Sequence, residues 1–402
     1  MSDPADSIRA MHSISIAQRR ARIGVRHRLA GAYRSADPAE ITRSMVVLHA
    51  TDPATVHLSV AARGHGLGPA QVEQALYEDR SLVRMLAMRR TMFVAPADLV
   101  PLLHASCGAD LAAKQRRTYA RFLEQAGIGD GDAPGWLAEV ADRTHRALLV
   151  RGSATGAQLS KDVPELRTQI DTAPEKSYSR PTNITSWVLV LLGTEGRIVR
   201  ARPNGTWSSS RYSWAPVESW LPAPLGDIGI EPARTELVRA WLHTFGPAPI
   251  GDIKWWTGWT LGQVRKALTG IDTVEVDLDG IEGLLLADDL EPVADPPPWA
   301  ALLPALDPTP MGWQARSWYL GEHQPRLFDR NGNIGPSIWY EGRIVGGWAQ
   351  RKDGEIVTRI LEDIGAEATA LVATEAERAA GWFGAVRPIP RFRTPLEREL
   401  TA

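Results

Sequence analysis

Leu82-Val-Arg-Met-Leu-Ala-Met-Arg-Arg-Thr-Met-Phe-Val94 is the stretch on which the fold turns. It is rich in β-forming side chains and carries Arg84, Arg89 and Arg90, which predicts a basic strand pair. Four helical segments lead up to it. In the first, Ile16, Ile23, Val25 and Leu29 recur at roughly helical spacing. Asp37-Pro38 starts the second, with an N-cap followed by proline at the first helical position. Its apolar residues Ile41, Met45, Val46 and Leu48 carry it to about Ala50. Asp52-Pro53 repeats the start signal for a third helix reaching about Arg63, and Gly68-Pro69 opens a fourth with Val72, Ala75 and Leu76 on one side.

Helices followed by a basic strand pair outline a winged helix, and the outline recurs. Trp136 to Val150 reads as a helix and Ala154 to Leu166 as a short helix-turn segment. Thr185 to Leu192 is an apolar helix leading into the β-rich Gly196 to Arg202, after which Asn204-Gly205 signals a hairpin. A third round runs through helices at Arg234 to Phe245, Pro249 to Trp256 and Thr260 to Leu268, then strands Thr273 to Leu278 and Gly283 to Leu286. Asp295-Pro-Pro-Pro298 is a linker. Beyond it, Ile334 to Trp339, Arg343 to Trp348 and Glu355 to Ile360 read as strands, with a helix from Glu367 to Trp382. The expectation is a mainly α chain with β wings. It divides into units at 1–110, 111–232 and 233–294 and a β-rich end at 295–402.

The chain has 402 residues, a formal net charge of -2 and one cysteine, Cys107. That balance excludes a uniformly basic nucleic-acid binder but not a local basic face. Arg19, Arg20, Arg22, Arg26, Arg28 and Arg34 form a run without an acid among them, while Asp288, Asp289, Glu291 and Asp295 gather elsewhere. Such a run is either a solvated helix face or a phosphate-contacting one. A single thiol makes neither an internal disulfide nor a cysteine zinc site, no stretch is long and apolar enough to span a bilayer, and no secretory signal is visible. The expected location is the cytoplasm. No HExxH, P-loop or strand-linked GxGxxG occurs, Gly152-Ser-Ala-Thr-Gly156 reads as a loop, and the nine histidines are scattered. Neither a metal nor a cofactor is therefore expected.

Several strings fall in a telling order: Leu82 to Thr91, Phe245-Gly-Pro-Ala-Pro-Ile-Gly-Asp252, Trp255-Trp-Thr-Gly258, Leu303-Pro-Ala-Leu-Asp-Pro308, and Glu341-Gly-Arg-Ile-Val-Gly346 through Trp348. Together they resemble the winged-helix DNA glycosylase family typified by AlkZ and YcaQ, over roughly Ile14 to Trp382. The resemblance implies three tandem winged helices in a C shape plus a small β-barrel, around a channel for double-stranded DNA carrying alkylated purines. A monomer is expected. The family's catalytic signature is two glutamines flanking one apolar residue. The matching positions here are His49 and Thr51, on either side of Ala50 and just before Asp52-Pro53.

That departure changes the available chemistry. Guanine alkylated at N7 is already cationic and leaves without a proton, so an enzyme must stabilise an oxocarbenium-like sugar and deliver water. His49 can hold that water and accept its proton near neutral pH. Thr51 is the second candidate ligand of the water, and Asp52 a fixed negative charge facing the cation. The plainer readings are that Asp52 is a helix N-cap and that His49 caps a helix end. Arg89, Arg90, Lys254 and Arg316 are the candidate DNA contacts. Trp255 and Trp256, consecutive on a helix, cannot share a face, so one is expected in the core and the other along the channel. Two functions follow: a glycosylase excising bulky N7-alkylguanine or related adducts, for repair or self-resistance, or a non-catalytic winged-helix DNA binder.

Overall fold

Proline placed just after a capping residue sets the beginning of the fold. A computed structural model describes residues 11–172 and 180–402. Strand β1 (His12–Ser13) and helix α1 (Ile16–Arg26) come first. Helices α2 (Pro38–Ser44) and α3 (Pro53–Arg63) start where Asp37 and Asp52 accept the backbone N–H of Ala39 and Ala54, and between them lies strand β2 (Leu48–His49). Helix α4 (Pro69–Tyr77) follows, then β3 (Leu82–Ala87) and β4 (Thr91–Pro96), which pair antiparallel as expected.

Helix α2 does not continue to Ala50. Val46 takes a left-handed φ of 63° and breaks it. Leu48 and His49 then pair with Val94 and Phe93 of β4. Met45, Val46, Val47 and Leu48 are all buried, so the apolar run that imitates a helix face is enclosed on every side.

Next come α5 (Val100–Leu103), α6 (Ala109–Gln125), α7 (Ala133–Arg151), α8 (Gly156–Asp162), the short pair β5 (Gln169–Ile170) and β6 (Thr182–Asn183), and α9 (Thr185–Thr194). Strands β7 (Ile198–Ala201) and β8 (Ser213–Pro216) are antiparallel. The expected tight turn at Asn204-Gly205 is absent: the connection runs from 202 to 212. The strands still form the expected hairpin, but it closes through this long loop, in which Trp207 is buried against His57 and Phe383. The two strand pairs join edge to edge into one five-stranded sheet, ordered β2-β4-β3-β7-β8.

Helices α10 (Ile230–Phe245), α11 (Ile250–Thr257) and α12 (Leu261–Leu268) precede β9 (Thr273–Asp277) and β10 (Glu282–Leu286). Strand β1 adds to β9 in parallel, so the start of the described chain closes this third small sheet. The last part holds β11 (Ala300–Leu303), α13 (Ser317–Leu320), α14 (Gln324–Leu327), β12 (Ser337–Tyr340), β13 (Arg343–Gln350), β14 (Ile356–Ile360), α15 (Gly365–Phe383) and α16 (Pro395–Leu400). Its sheet is an open meander, β11-β12-β13-β14, rather than a closed barrel. Val372 and Phe383 of α15 pack with Ala300, Leu302, Ile338 and Val345, so a helix, not strand closure, covers its apolar side chains.

The arginine run near the start is neither a solvated face nor a phosphate face, because most of it is used internally. Arg22 and Arg26 both pair with Asp289, at 2.9 and 2.5 Å, and Arg34 with Glu375 at 2.8 Å. Arg19 lies 3.8 Å over Trp318, and Arg20 donates to its carbonyl. Among the described residues no helix is long and apolar enough to cross a membrane.

Candidate functional site

His49 sits on the edge strand β2, with its ring edge-on to Phe93 at 5.6 Å. Its Nδ1 accepts the Thr51 N–H at 3.4 Å, so the neutral imidazole carries its proton on Nε2. Burial, then the charges of Arg89 and Arg84, push its pKa down to about 3. The backbone around it is held firmly. Ala50 N–H donates to Met92 O at 2.8 Å, and the Arg84 guanidinium donates to Ala50 O.

His49 opens onto a cleft of about 510 Å³. Arg89, Thr91, Trp255, Gln314, Arg316, Gln324 and Asn331 share its wall, together with Asn333. Arg89 lies 4.8 Å and Arg316 5.2 Å over the ring of Trp255. Such cation–π stacking fixes both guanidinia without using their hydrogen-bond donors. Arg89 and Arg90 both adopt left-handed backbone, φ 55° and 58°, at a turn where glycine or asparagine is the ordinary choice. Gly258, itself at φ 75°, caps α11 beneath them, and a Cβ there would come within 2.6 Å of Arg89 Cγ.

Arg89 also borders a second, larger cleft of about 950 Å³, so the hairpin tip stands between two recesses. Arg90 donates to Gln115 at 3.0 Å on that side, near Lys114, Tyr119, Trp187 and Trp259. Among the described residues no group of His, Cys, Asp and Glu is arranged to hold a metal.

The remaining candidates separate. Asp52 is 6% exposed and does not line the His49 cleft. Its Oδ1 accepts Ala54 N–H at 3.0 Å and its Oδ2 accepts Arg391 N–H at 2.9 Å. It thus caps α3 and fastens the C-terminal segment, beside a cavity of only about 30 Å³. Thr51 is half-buried and also outside the cleft wall. Of the consecutive tryptophans, Trp255 reaches the cleft. Trp256, the other candidate of the pair, is 5% exposed and packed on Trp241 and Phe245, so it is the core member and not a DNA contact. Lys254 is exposed but not on the cleft wall.

Sequence reading missed Gln314, Gln324, Asn331 and Asn333. A partial signal was available in the turn-rich Asp329-Arg-Asn-Gly-Asn333, where Asp329 Oδ1 accepts the N–H of both Asn331 and Asn333. A second lay in Asp252, a buried acid whose Oδ1 accepts the N–H of Gln314 at 2.8 Å and of Ala315 at 2.9 Å.

Helices with several small sheets, and a cleft of arginines, amides and a tryptophan, make this a mixed α/β protein. The chain belongs to the AlkZ-like DNA glycosylase family, whose sequence model, described as "DNA glycosylase AlkZ-like", matches residues 42–382. The solved structure of Streptomyces sahachiroi DNA glycosylase AlkZ is similar, with a TM-score of 0.72 at 19% identity, covering 94% of this chain and 99% of that one. No curated protein matches the sequence.

Proposed function

We propose that this chain is a monofunctional DNA glycosylase that hydrolyses bulky N7-alkylguanine, or a related alkylpurine, from double-stranded DNA, in repair or in self-resistance to a DNA-alkylating genotoxin. In this reading three winged-helix units (1–110, 111–232, 233–294) and the β-rich end (295–402) curve around the duplex as a C-shaped cytoplasmic monomer. One observation carries it: remote segments bring His49, Arg89, Trp255 and Arg316 to one cleft.

The chemistry fits those groups. The cationic base departs as a neutral molecule and leaves an oxocarbenium sugar, so no acid is required. Arg89 and Arg316, held over Trp255, suit strand phosphates. Among the described residues no carboxylate lines this cleft, so the strand phosphates supply the negative charge opposite the sugar cation. His49, neutral, holds the attacking water through Nε2–H rather than removing its proton. Water adds to the cation, and the proton then leaves to solvent.

Incubation with duplexes carrying N7-alkylguanine, followed by mass-spectrometric measurement of released base, tests the reading. Release above spontaneous depurination is the expected result, and none for any N7-alkylpurine would sink it. A binding-only role is favoured by one observation: Nδ1 of His49 and both oxygens of Asp52 are already occupied by backbone N–H groups. That reading expects tight binding to the same duplex without release.

A further inference from the structure

Where β3 meets β7, Arg84 and Arg200 stand directly opposite each other. Like charges in cross-strand register repel, and the charge of Arg391 reaches the same place. Arg84 is partnered, donating to Ala50 O and, at 3.3 Å, to the Tyr212 hydroxyl. Arg200 is not. Its guanidinium is stacked 3.8 Å from Trp214 and 4.2 Å from Tyr212. Its Nε is buried without a partner, and among the described residues no carboxylate or carbonyl takes any of its donors. Burial first, then the Arg84 charge, pushes its pKa down to about 9.

Arg200 opens onto a third cleft of about 670 Å³, with Arg167, Ser160, Asn183 and Thr185 on its wall. This cleft shares Ser186 and Val190 with the 950 Å³ cleft, which in turn shares Arg89 with the His49 cleft. The three recesses are therefore neighbours that share walls. A planar guanidinium clamped by two rings, desolvated and repelled by its neighbours, gains from a bidentate anion more than a solvated one would. We propose that the cleft at Arg200 is an anion site that takes a phosphate group, with Arg200 as its principal donor and Arg167 as the second. The phosphate belongs either to a nucleic-acid strand passing these neighbouring recesses, which rests on the DNA reading above, or to a small phosphate compound.

Thermal unfolding of the full chain in inorganic phosphate and in chloride at matched ionic strength tests the site, for wild type and for Arg200→Gln. Phosphate should raise the wild-type Tm and leave that of the variant unmoved, while in chloride the variant should be at least as stable, since the repulsion from Arg84 is gone. Binding of a duplex should weaken roughly tenfold in the variant, and the slope of log affinity against log salt should fall by about one. Equal phosphate responses in both proteins would overturn the proposal. So would a variant that is merely less stable in chloride, because stacking alone would then explain Arg200. A lost phosphate response with unchanged duplex affinity keeps the site and removes the strand as its source. Loss of both responses in a protein that releases no base keeps the site while the glycosylase reading fails. Arg167→Gln repeats the experiment from the cleft wall without disturbing the ring stack.

Discussion

At position 49 the imidazole is neutral well below physiological pH, because burial and two arginines disfavour its charged form. A general base with an ordinary histidine pKa would make base release rise through about pH 6.5. Here the sign and range differ: the group loses its proton near 3, so the His49 contribution is already complete at pH 5. Release of N7-alkylguanine should be flat between about pH 5 and 8, measured in single-turnover assays. A rise centred near 6.5 would show that His49 titrates in the cleft after all. Removing a preorganised donor costs on the order of 100-fold in rate, so His49→Ala should lose about that much. His49→Gln, which restores an amide donor, should recover part of it. Asp52 is tested differently. Asparagine caps a helix as well as aspartate, but it presents one acceptor oxygen where two backbone N–H groups need partners. Asp52→Asn should therefore lose about 1–3 kcal/mol of stability in chemical denaturation, from the unpaired Arg391 N–H. A large rate loss at unchanged stability would return Asp52 to the chemistry.

Among the elements, the starts of α2, α3 and α4 were legible because Asp-Pro and Gly-Pro steps act locally. Strand β2 was not, since Ile41, Met45 and Leu48 continue a helical spacing that only the left-handed turn at Val46 interrupts. The junction of β3 with β7 and the addition of β1 to β9 were equally hidden, because each pairs residues far apart in the chain. The site follows the same division. The position of His49 was legible from the family motif and Arg89 from the basic strand pair, while spacing alone did not say which tryptophan of the pair faces the cleft. The cleft amides were not legible, because tertiary packing delivers them from the segment between β11 and β12. Helix α11 makes part of that delivery through Asp252, which grips the turn carrying Gln314 and Arg316. Burial raises the Asp252 pKa, and among the described residues its Oδ2 has no partner. Asp252→Asn should then be nearly neutral, since the amide oxygen keeps both bonds and no charge is buried. Asp252→Ala should release the turn, costing about 1–3 kcal/mol of stability and weakening duplex binding by anisotropy. Equal behaviour of the two variants would mean that the turn holds itself.

At the scale of the molecule, one buried ion pair ties the parts together. Arg63 at the end of α3 and Asp307 are both fully enclosed, with Nη2 to Oδ1 at 2.7 Å and Nη1 to Oδ2 at 2.8 Å. Ser59 donates to Asp307 as well, and Arg63 donates to Thr309 Oγ1 at 2.7 Å. His27, just after α1, then bridges Thr309 Oγ1 and Thr244 O of α10, at 2.9 and 3.2 Å. The Leu303-Pro-Ala-Leu-Asp-Pro308 string thereby joins α1, α3 and α10, and α3 is the helix that begins at Asp52, beside the His49 motif. Removing one member of a buried pair leaves the other charge without compensation, at about 3–5 kcal/mol. Asp307→Ala should cost that much in urea unfolding. Exchanging both for apolar residues of similar size, as in Arg63→Met with Asp307→Leu, should recover much of the loss, because no orphaned charge remains. Cooperativity distinguishes this from a local effect. If the network couples the parts, intrinsic fluorescence and circular dichroism should unfold together in the wild type and separate in Asp307→Ala. A loss below about 1 kcal/mol with coincident transitions would mean that water enters and solvates Arg63, and the coupling would then have to come from the apolar core that runs beneath all of these elements.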